Sequence, residues 1–208
     1  MRQVDQAELP VASRASACPP LVGLDVQEAL LALARVALAA ATGRSDVATL
    51  DRALRTCRDG GGRGAVFVTL FDHDELRGCI GSLDTHRRLR GAVVSATVDA
   101  ALDDPRFVPV DAAEVPAMRI AVSVLGPCVR LTDPADLEPG LDGVVVDRGG
   151  RRGLLLPEVA TEYGWGASQL LAAACGKAGL PADAWRDRRT GVRTFRTVRF
   201  GGPAIITH

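Results

Sequence analysis

The spacing of apolar positions changes period several times along the chain, and each change marks an element. Leu30, Leu33, Ala34, Ala37, Leu38 and Ala41 recur at helical spacing behind a capping-box-like start at Asp25 and Glu28, and the run stops at Gly43. This predicts an amphipathic helix packed on one face. Residues 65–71 (AVFVTLF) form a short continuous apolar run rich in β-branched and aromatic residues, the turn residues 72–74 follow, and a second run begins at Leu76. A β-hairpin is the natural reading. Residues 86–102 return to helical spacing through Leu89, Ala92, Val93, Ala96 and Ala100 and end at Asp104-Pro105, where proline blocks continuation.

The second half is patterned differently. Residues 119–125 (RIAVSVL) read as a strand closed by Gly126-Pro127, with 129–131 prolonging it beyond the break. Residues 143–147 and 154–156 flank RGGRR, which predicts a hairpin tip. Leu171, Ala174, Cys175 and Ala178 share a helical face that ends at Gly179-Leu180-Pro181, and residues 191–200 (GVRTFRTVRF) alternate as an edge or exposed strand does. Strands outnumber helices without regular alternation, so the fold class is α+β with a mostly antiparallel sheet and packed helices. Residues 1–21 are expected to be a flexible tail, 22–201 a single domain and 202–208 a second tail.

Composition narrows the core and the partners. Apolar residues make up 47% of the 208-residue chain but aromatics only 4%, so the core must be built from Ala, Val and Leu. Twenty-five basic residues against 25 acidic ones leave no net charge to recruit a polyanion or an anionic membrane, so neither nucleic acid nor membrane is an expected partner. No uninterrupted apolar stretch reaches eighteen residues, and the first twenty residues lack an apolar run of seven; the expectation is a cytoplasmic protein. Five cysteines at wide, irregular spacing match no zinc or CxxC pattern and are expected to be free thiols.

The chemistry-bearing stretch is DELRGCIGSL, residues 74–83. In a regular strand the period of two puts Arg77, Cys79, Gly81 and Leu83 on one face, with the guanidinium about 7 Å along the strand from the thiol. An arginine there favours thiolate, and Gly78 and Gly81 remove side chains that would crowd an approaching ligand. The competing reading makes Cys79 a small core residue and the glycines the mark of a bulge or of close helix packing. Asp104, Arg106 and Phe107 either form a helix stop with a local ion pair or orient the same pocket.

Other candidates have plainer readings. Cys175 falls on an apolar helical face as a core residue, its alternative role being a resolving thiol for Cys79. His73 among Asp72, Asp74 and Glu75 reads as a solvated hairpin tip, and no metal site is expected from Cys79, His73 and His86. His86, Arg87 and Arg88 near a helix start oppose its dipole and form either a solvated face or an anion site. The arginines at 148, 151 and 152 and between 186 and 199 invite a nucleic-acid reading, weakened by Asp183 and Asp187. Neither GxxxxGK[ST] nor GxSxG is present, so no cofactor is expected.

FVTL, ELRGCIGSL, DPRF at 104–107, GLLLPEVATEYGW and CGKAGLPADAW together resemble the AMMECR family, most closely its bacterial branch, protein A of the AmmeMemoRadiSam system, from about Val26 to Phe200. The resemblance implies an α+β fold with a larger and a smaller lobe, and a cleft lined by LRGCIG. By that match Arg77 and Cys79 are the implied catalytic pair and Gly78, Gly81, Asp104, Arg106 and Phe107 the implied binding residues. It also implies a radical SAM enzyme and a Memo-like protein as partners, and a small-molecule ligand. The chain after Phe200 and the stretch Gly166-Ala167-Ser168 depart from the family pattern. Two functions fit: cysteine-dependent transformation of a small molecule, or a non-catalytic partner module using the same cleft.

Overall fold

The computed structural model describes residues 11–12 and 22–203. In chain order its strands and α-helices are β1 (Val11–Ala12), α1 (Leu24–Ala41), α2 (Val47–Thr56), β2 (Ala65–Asp72), β3 (Glu75–Ser82), α3 (Leu89–Leu102), β4 (Met118–Leu125), β5 (Cys128–Arg130), β6 (Gly143–Arg148), β7 (Arg151–Leu155), α4 (Pro157–Tyr163), α5 (Ala167–Lys177), β8 (Gly191–Phe195) and β9 (Thr197–Gly201). The expected α+β class with mostly antiparallel pairing is what the chain adopts. The described residues divide into two compact units, 22–125 with 198–203, and 11–12 with 126–197. Apart from β1, Gly202 and Pro203, the expected tails lie outside the described residues.

The first unit is a four-stranded sheet, β3-β2-β4-β9, with α1 and α3 packed on it. Strict alternation sorts its faces. Val66, Val68 and Leu70 of β2 and Ile120, Val122 and Val124 of β4 join Leu30, Ala34 and Leu38 of α1 and Ala92, Val93, Ala96 and Ala100 of α3 in one core. Phe67, Thr69 and Cys79 occupy the opposite face. The small residues of α3 bring its backbone close to the sheet: a Cβ on Gly78 would stand 2.2 Å from the Ala100 carbonyl oxygen, so glycine is required there.

Three details depart from the sequence reading. Helix α1 starts at Leu24 with Gly23 at its N-cap, which places Asp25 in the first turn and leaves no capping box. Helix α2, not foreseen, is capped by Asp46, whose side chain accepts from the Thr49 N–H at 2.7 Å. None of its residues is fully buried. Helix α3 begins at Leu89 rather than 86, because residues 87–89 are held in extended pairing with 62–64.

The second unit carries the sheet β1-β5-β8-β6-β7, parallel at β1 and antiparallel elsewhere, with α4 and α5. Its core gathers Val144, Val146, Leu170, Leu171, Ala174, Cys175 and Val192. The predicted β6–β7 hairpin turns at Gly149 and Gly150, whose φ values of 57° and 79° require glycine. The single strand expected over 191–200 is instead two strands in different sheets, divided at Arg196, whose side chain is drawn to Asp142 at 3.2 Å and Glu138 at 3.3 Å. Among the described residues no helix is long and apolar enough to cross a membrane.

Candidate functional site

Cys79 sits in the middle of β3, an edge strand, opposite Thr69 of β2. Its N–H is directed away from β2, to Asp104 Oδ2 at 2.8 Å. Thr69 and Cys79 are therefore a non-hydrogen-bonded pair, the register in which opposed side chains come closest. Thr69 Oγ1 accordingly donates to Cys79 Sγ at 3.3 Å. The cysteine is half-buried, whereas Thr69 is buried.

Asp104 reaches this strand because α3 ends two residues before it. Pro105 forbids another helical turn, and the Phe107 N–H closes back on the Asp104 carbonyl at 3.1 Å. Asp104 Oδ1 accepts from the Arg106 N–H at 3.1 Å and from Arg106 Nε at 3.0 Å, while Oδ2 accepts from Arg106 Nη2 at 2.7 Å as well as from Cys79. Arg106 Nη2 also donates to the Cys79 carbonyl at 3.4 Å. Both outward backbone groups of the edge strand at residue 79 are thus closed by side chains.

The electrostatics follow from that geometry. Asp104 is 4% exposed, and burial alone would raise its carboxyl. The Arg106 guanidinium and the N–H groups of Cys79 and Arg106 outweigh burial and bring it down to about 2. The guanidinium of Arg106 is in turn held protonated, chiefly by its hydrogen bond to Asp104. Arg106, its side chain 52% exposed and stacked at 5.3 Å over Phe107, is the cation that reaches Cys79, through the cysteine's carbonyl.

Arg77 is placed elsewhere, which corrects the expectation that it faces Cys79. Leu70 opposes Gly78 and Phe71 opposes Leu76, so Arg77 is the extra residue of a β-bulge, and the period of two fails at that step. Its Nε and Nη2 grip Glu114 at 2.8 and 3.1 Å, and Nη1 donates to the Val108 carbonyl at 2.8 Å. Arg77 in turn holds the Glu114 carboxyl below its ordinary range. The glycines also differ from a ligand-sized gap: α3 fills the space beside Gly78, and the Phe67 ring lies 2.4 Å from where a Cβ on Gly81 would be.

The remaining candidates separate cleanly. Cys175 is fully buried in the core of the second unit, as its helical face predicts, and burial raises its thiol. Burial raises Cys57 as well and pushes Cys128 up to about 11; Cys18 lies outside the described residues. His73 takes a positive φ of 56° at the exposed hairpin tip beside Asp72, and among the described residues no group of three His, Cys, Asp or Glu could hold a metal. Several arginines of the second unit meet acids: Arg148 and Arg189 meet Asp187, and Arg193 meets Asp147.

Sequence reasoning missed Thr69 and Glu114. An unbulged hairpin closed by Asp72 and Glu75 would set Thr69 opposite Gly78; the bulge moves Cys79 into that place. The one available signal was a lone hydroxyl in the otherwise apolar AVFVTLF. Glu114 gave none.

The model of the AMMECR1 family matches residues 31–200. A protein of Methanothermobacter thermautotrophicus is 44% identical over 144 residues, covering 66% of this chain and 75% of its own. Protein PF1979 of Pyrococcus furiosus is 44% identical over 140 residues, covering 62% of this chain and 67% of its own. The crystal structure of the uncharacterized protein PH0010 from Pyrococcus horikoshii superposes with a TM-score of 0.77 at 33% identity, over 86% of this chain and 93% of that one. The chain belongs to the AMMECR1 family.

Proposed function

We propose that this AMMECR1-family protein uses Cys79 as the nucleophile or covalent anchor for a small electrophilic molecule. The observation that carries the reading is the Thr69 hydroxyl donating to Cys79 Sγ at 3.3 Å on a half-buried edge strand. A donor on sulfur, with the Arg106 guanidinium held at the same residue's carbonyl, favours the thiolate form that reacts. Arg106, half exposed, takes the role first assigned to Arg77 and holds an anionic group of the substrate. Addition to a carbonyl forms one S–C bond, and the carbonyl oxygen takes up the proton that the thiol releases. The resemblance to the bacterial AmmeMemoRadiSam branch supports action in the cytoplasm alongside a radical SAM enzyme and a Memo-like protein. The filled spaces beside Gly78 and Gly81 weaken the alternative, a module that binds a partner's backbone in a glycine gap.

Limiting iodoacetamide at neutral pH, followed by peptide mapping, tests the reading. Cys79 is expected to label ahead of Cys57 and Cys128, whose thiols burial holds protonated. Equal or slower labelling of Cys79 rejects a reactive thiol.

A further inference from the structure

A second feature of the first unit lies where the chain leaves β3 and enters α3. Arg63 and Arg88 face each other across an isolated antiparallel bridge. The Gly64 N–H donates to the Arg87 carbonyl at 3.1 Å and the Leu89 N–H to the Gly62 carbonyl at 3.0 Å. Those two bonds flank the bridge, so Arg63 and Arg88 are a non-hydrogen-bonded pair, with Cα atoms about 4.5 Å apart in this register. Two like charges stand at the closest spacing that antiparallel pairing offers, an arrangement that destabilises the free protein.

Among the described residues nothing nearby relieves it. Arg63, Arg87 and Arg88 are all exposed, and among the described residues none has a carboxylate within ion-pair distance. Asp59, the buried acid of this corner, is already engaged by the Gly61 N–H, the Arg90 N–H and the Arg90 side chain. Arg63 donates to the His86 carbonyl, which fixes its side chain without neutralising it. Arg88 also stands at the N-cap of α3, where a cation opposes the helix dipole. The contrast within the unit is sharp, since Arg77, Arg106 and Arg119 each close on a carboxylate.

We propose that Arg63 and Arg88, with Arg87 beside them, form a docking surface for an acidic segment of a partner protein. Paired guanidinium forks match carboxylates in the manner of this unit's internal ion pairs. The three side chains are exposed on the surface, whereas a small ligand would be enclosed. A patch of three cations on a chain with 25 basic and 25 acidic residues neutralises too few phosphates to hold a nucleic acid. The partner's carboxylates supply the complementary charge, setting orientation and association rate.

The full-length protein is titrated into a fluorescein-labelled hexaglutamate peptide, with a labelled oligothymidylate and a hexalysine peptide as comparisons, at low and raised salt. Anisotropy is expected to report binding of hexaglutamate that weakens with salt, and weaker binding of oligothymidylate. Arg88→Glu is expected to weaken hexaglutamate binding at least tenfold while raising the low-salt unfolding midpoint, because the introduced carboxylate would pair with Arg63 across the bridge. Arg35→Glu, at an exposed site of α1, is expected to change binding less than twofold. Absence of hexaglutamate binding, equal loss in the Arg35 variant, or oligothymidylate binding as tight as the peptide overturns the proposal. A lower midpoint in Arg88→Glu overturns the claim that the pair strains the free protein, and the proposal with it.

Discussion

The buried carboxylate of Asp104 accepts from the Cys79 N–H at 2.8 Å and from Arg106 Nη2 at 2.7 Å, so one acid joins the stop of α3 to the edge strand bearing the thiol. Folding holds this carboxyl at about 2, below the free value of 3.8. A depressed carboxyl stabilises fully above its unfolded pKa, and that stabilisation is lost as pH falls from about 4 towards 2. The shift corresponds to about 2 kcal/mol. Urea midpoints measured between pH 6 and pH 2.5 should therefore fall across this window in the wild type. Asp104→Asn should lose about 2 kcal/mol at neutral pH and show a shallower acid slope. An unchanged slope would show that Asp104 is not the group responsible.

Arg77 and Arg106 should exchange the roles that a regular strand would give them. Arg77→Ala removes the clasp on Glu114 and on the 108–109 carbonyls, at a stability cost of about 1–2 kcal/mol, with little effect on alkylation of Cys79. Arg106→Ala should slow alkylation several-fold, and Arg106→Lys should restore part of the rate, since a point charge replaces only part of the fork. Stopped-flow alkylation read beside denaturant midpoints separates the two. A large rate loss in Arg77→Ala with none in Arg106→Ala would reinstate the regular-strand geometry.

The hydroxyl of Thr69 offers a narrower test. Thr69→Val keeps the β-branched shape and the strand preference but removes the donor to Cys79 Sγ. Alkylation of Cys79 should slow several-fold near neutrality and converge with the wild type at high pH, where the thiol ionises without help. Thr69→Ser should retain the wild-type rate. Identical pH–rate profiles for all three proteins would remove Thr69 from the site.

What could be read in the sequence divides along physical lines. The buried faces of α1 and α3 and the β2–β3 hairpin followed from period and turn chemistry, because burial imposes those patterns directly. The motif pointed to Cys79, and DPRF to Asp104 and Arg106. The glycines admitted a bulge only as the competing reading and did not place it, and it is the bulge at Arg77 that turned this arginine away from the thiol and brought Thr69 towards it. Glu114, 37 residues from its arginine, is placed by tertiary folding alone. The glycines pointed to close approach without saying whether a ligand, a ring or a helix makes it.

Gly78 and Gly91 allow that last distinction to be measured. A Cβ at Gly78 would lie 2.2 Å from the Ala100 carbonyl oxygen, a backbone atom that can yield only if α3 moves off the sheet. Gly78→Ala should cost about 2–4 kcal/mol and, by displacing α3, disturb the Asp104 contact at Cys79. Gly91 lies in α3 itself, and beyond its chain neighbours and the helix's own backbone nothing comes within 4 Å of its missing Cβ. Gly91→Ala should stabilise by about 0.5–1 kcal/mol through helix propensity. Thermal midpoints and Cys79 alkylation rates on both variants give the answer: a tolerated Gly78→Ala with a normal midpoint would mean that α3 is not seated against β3, and that the position of Asp104 has another origin.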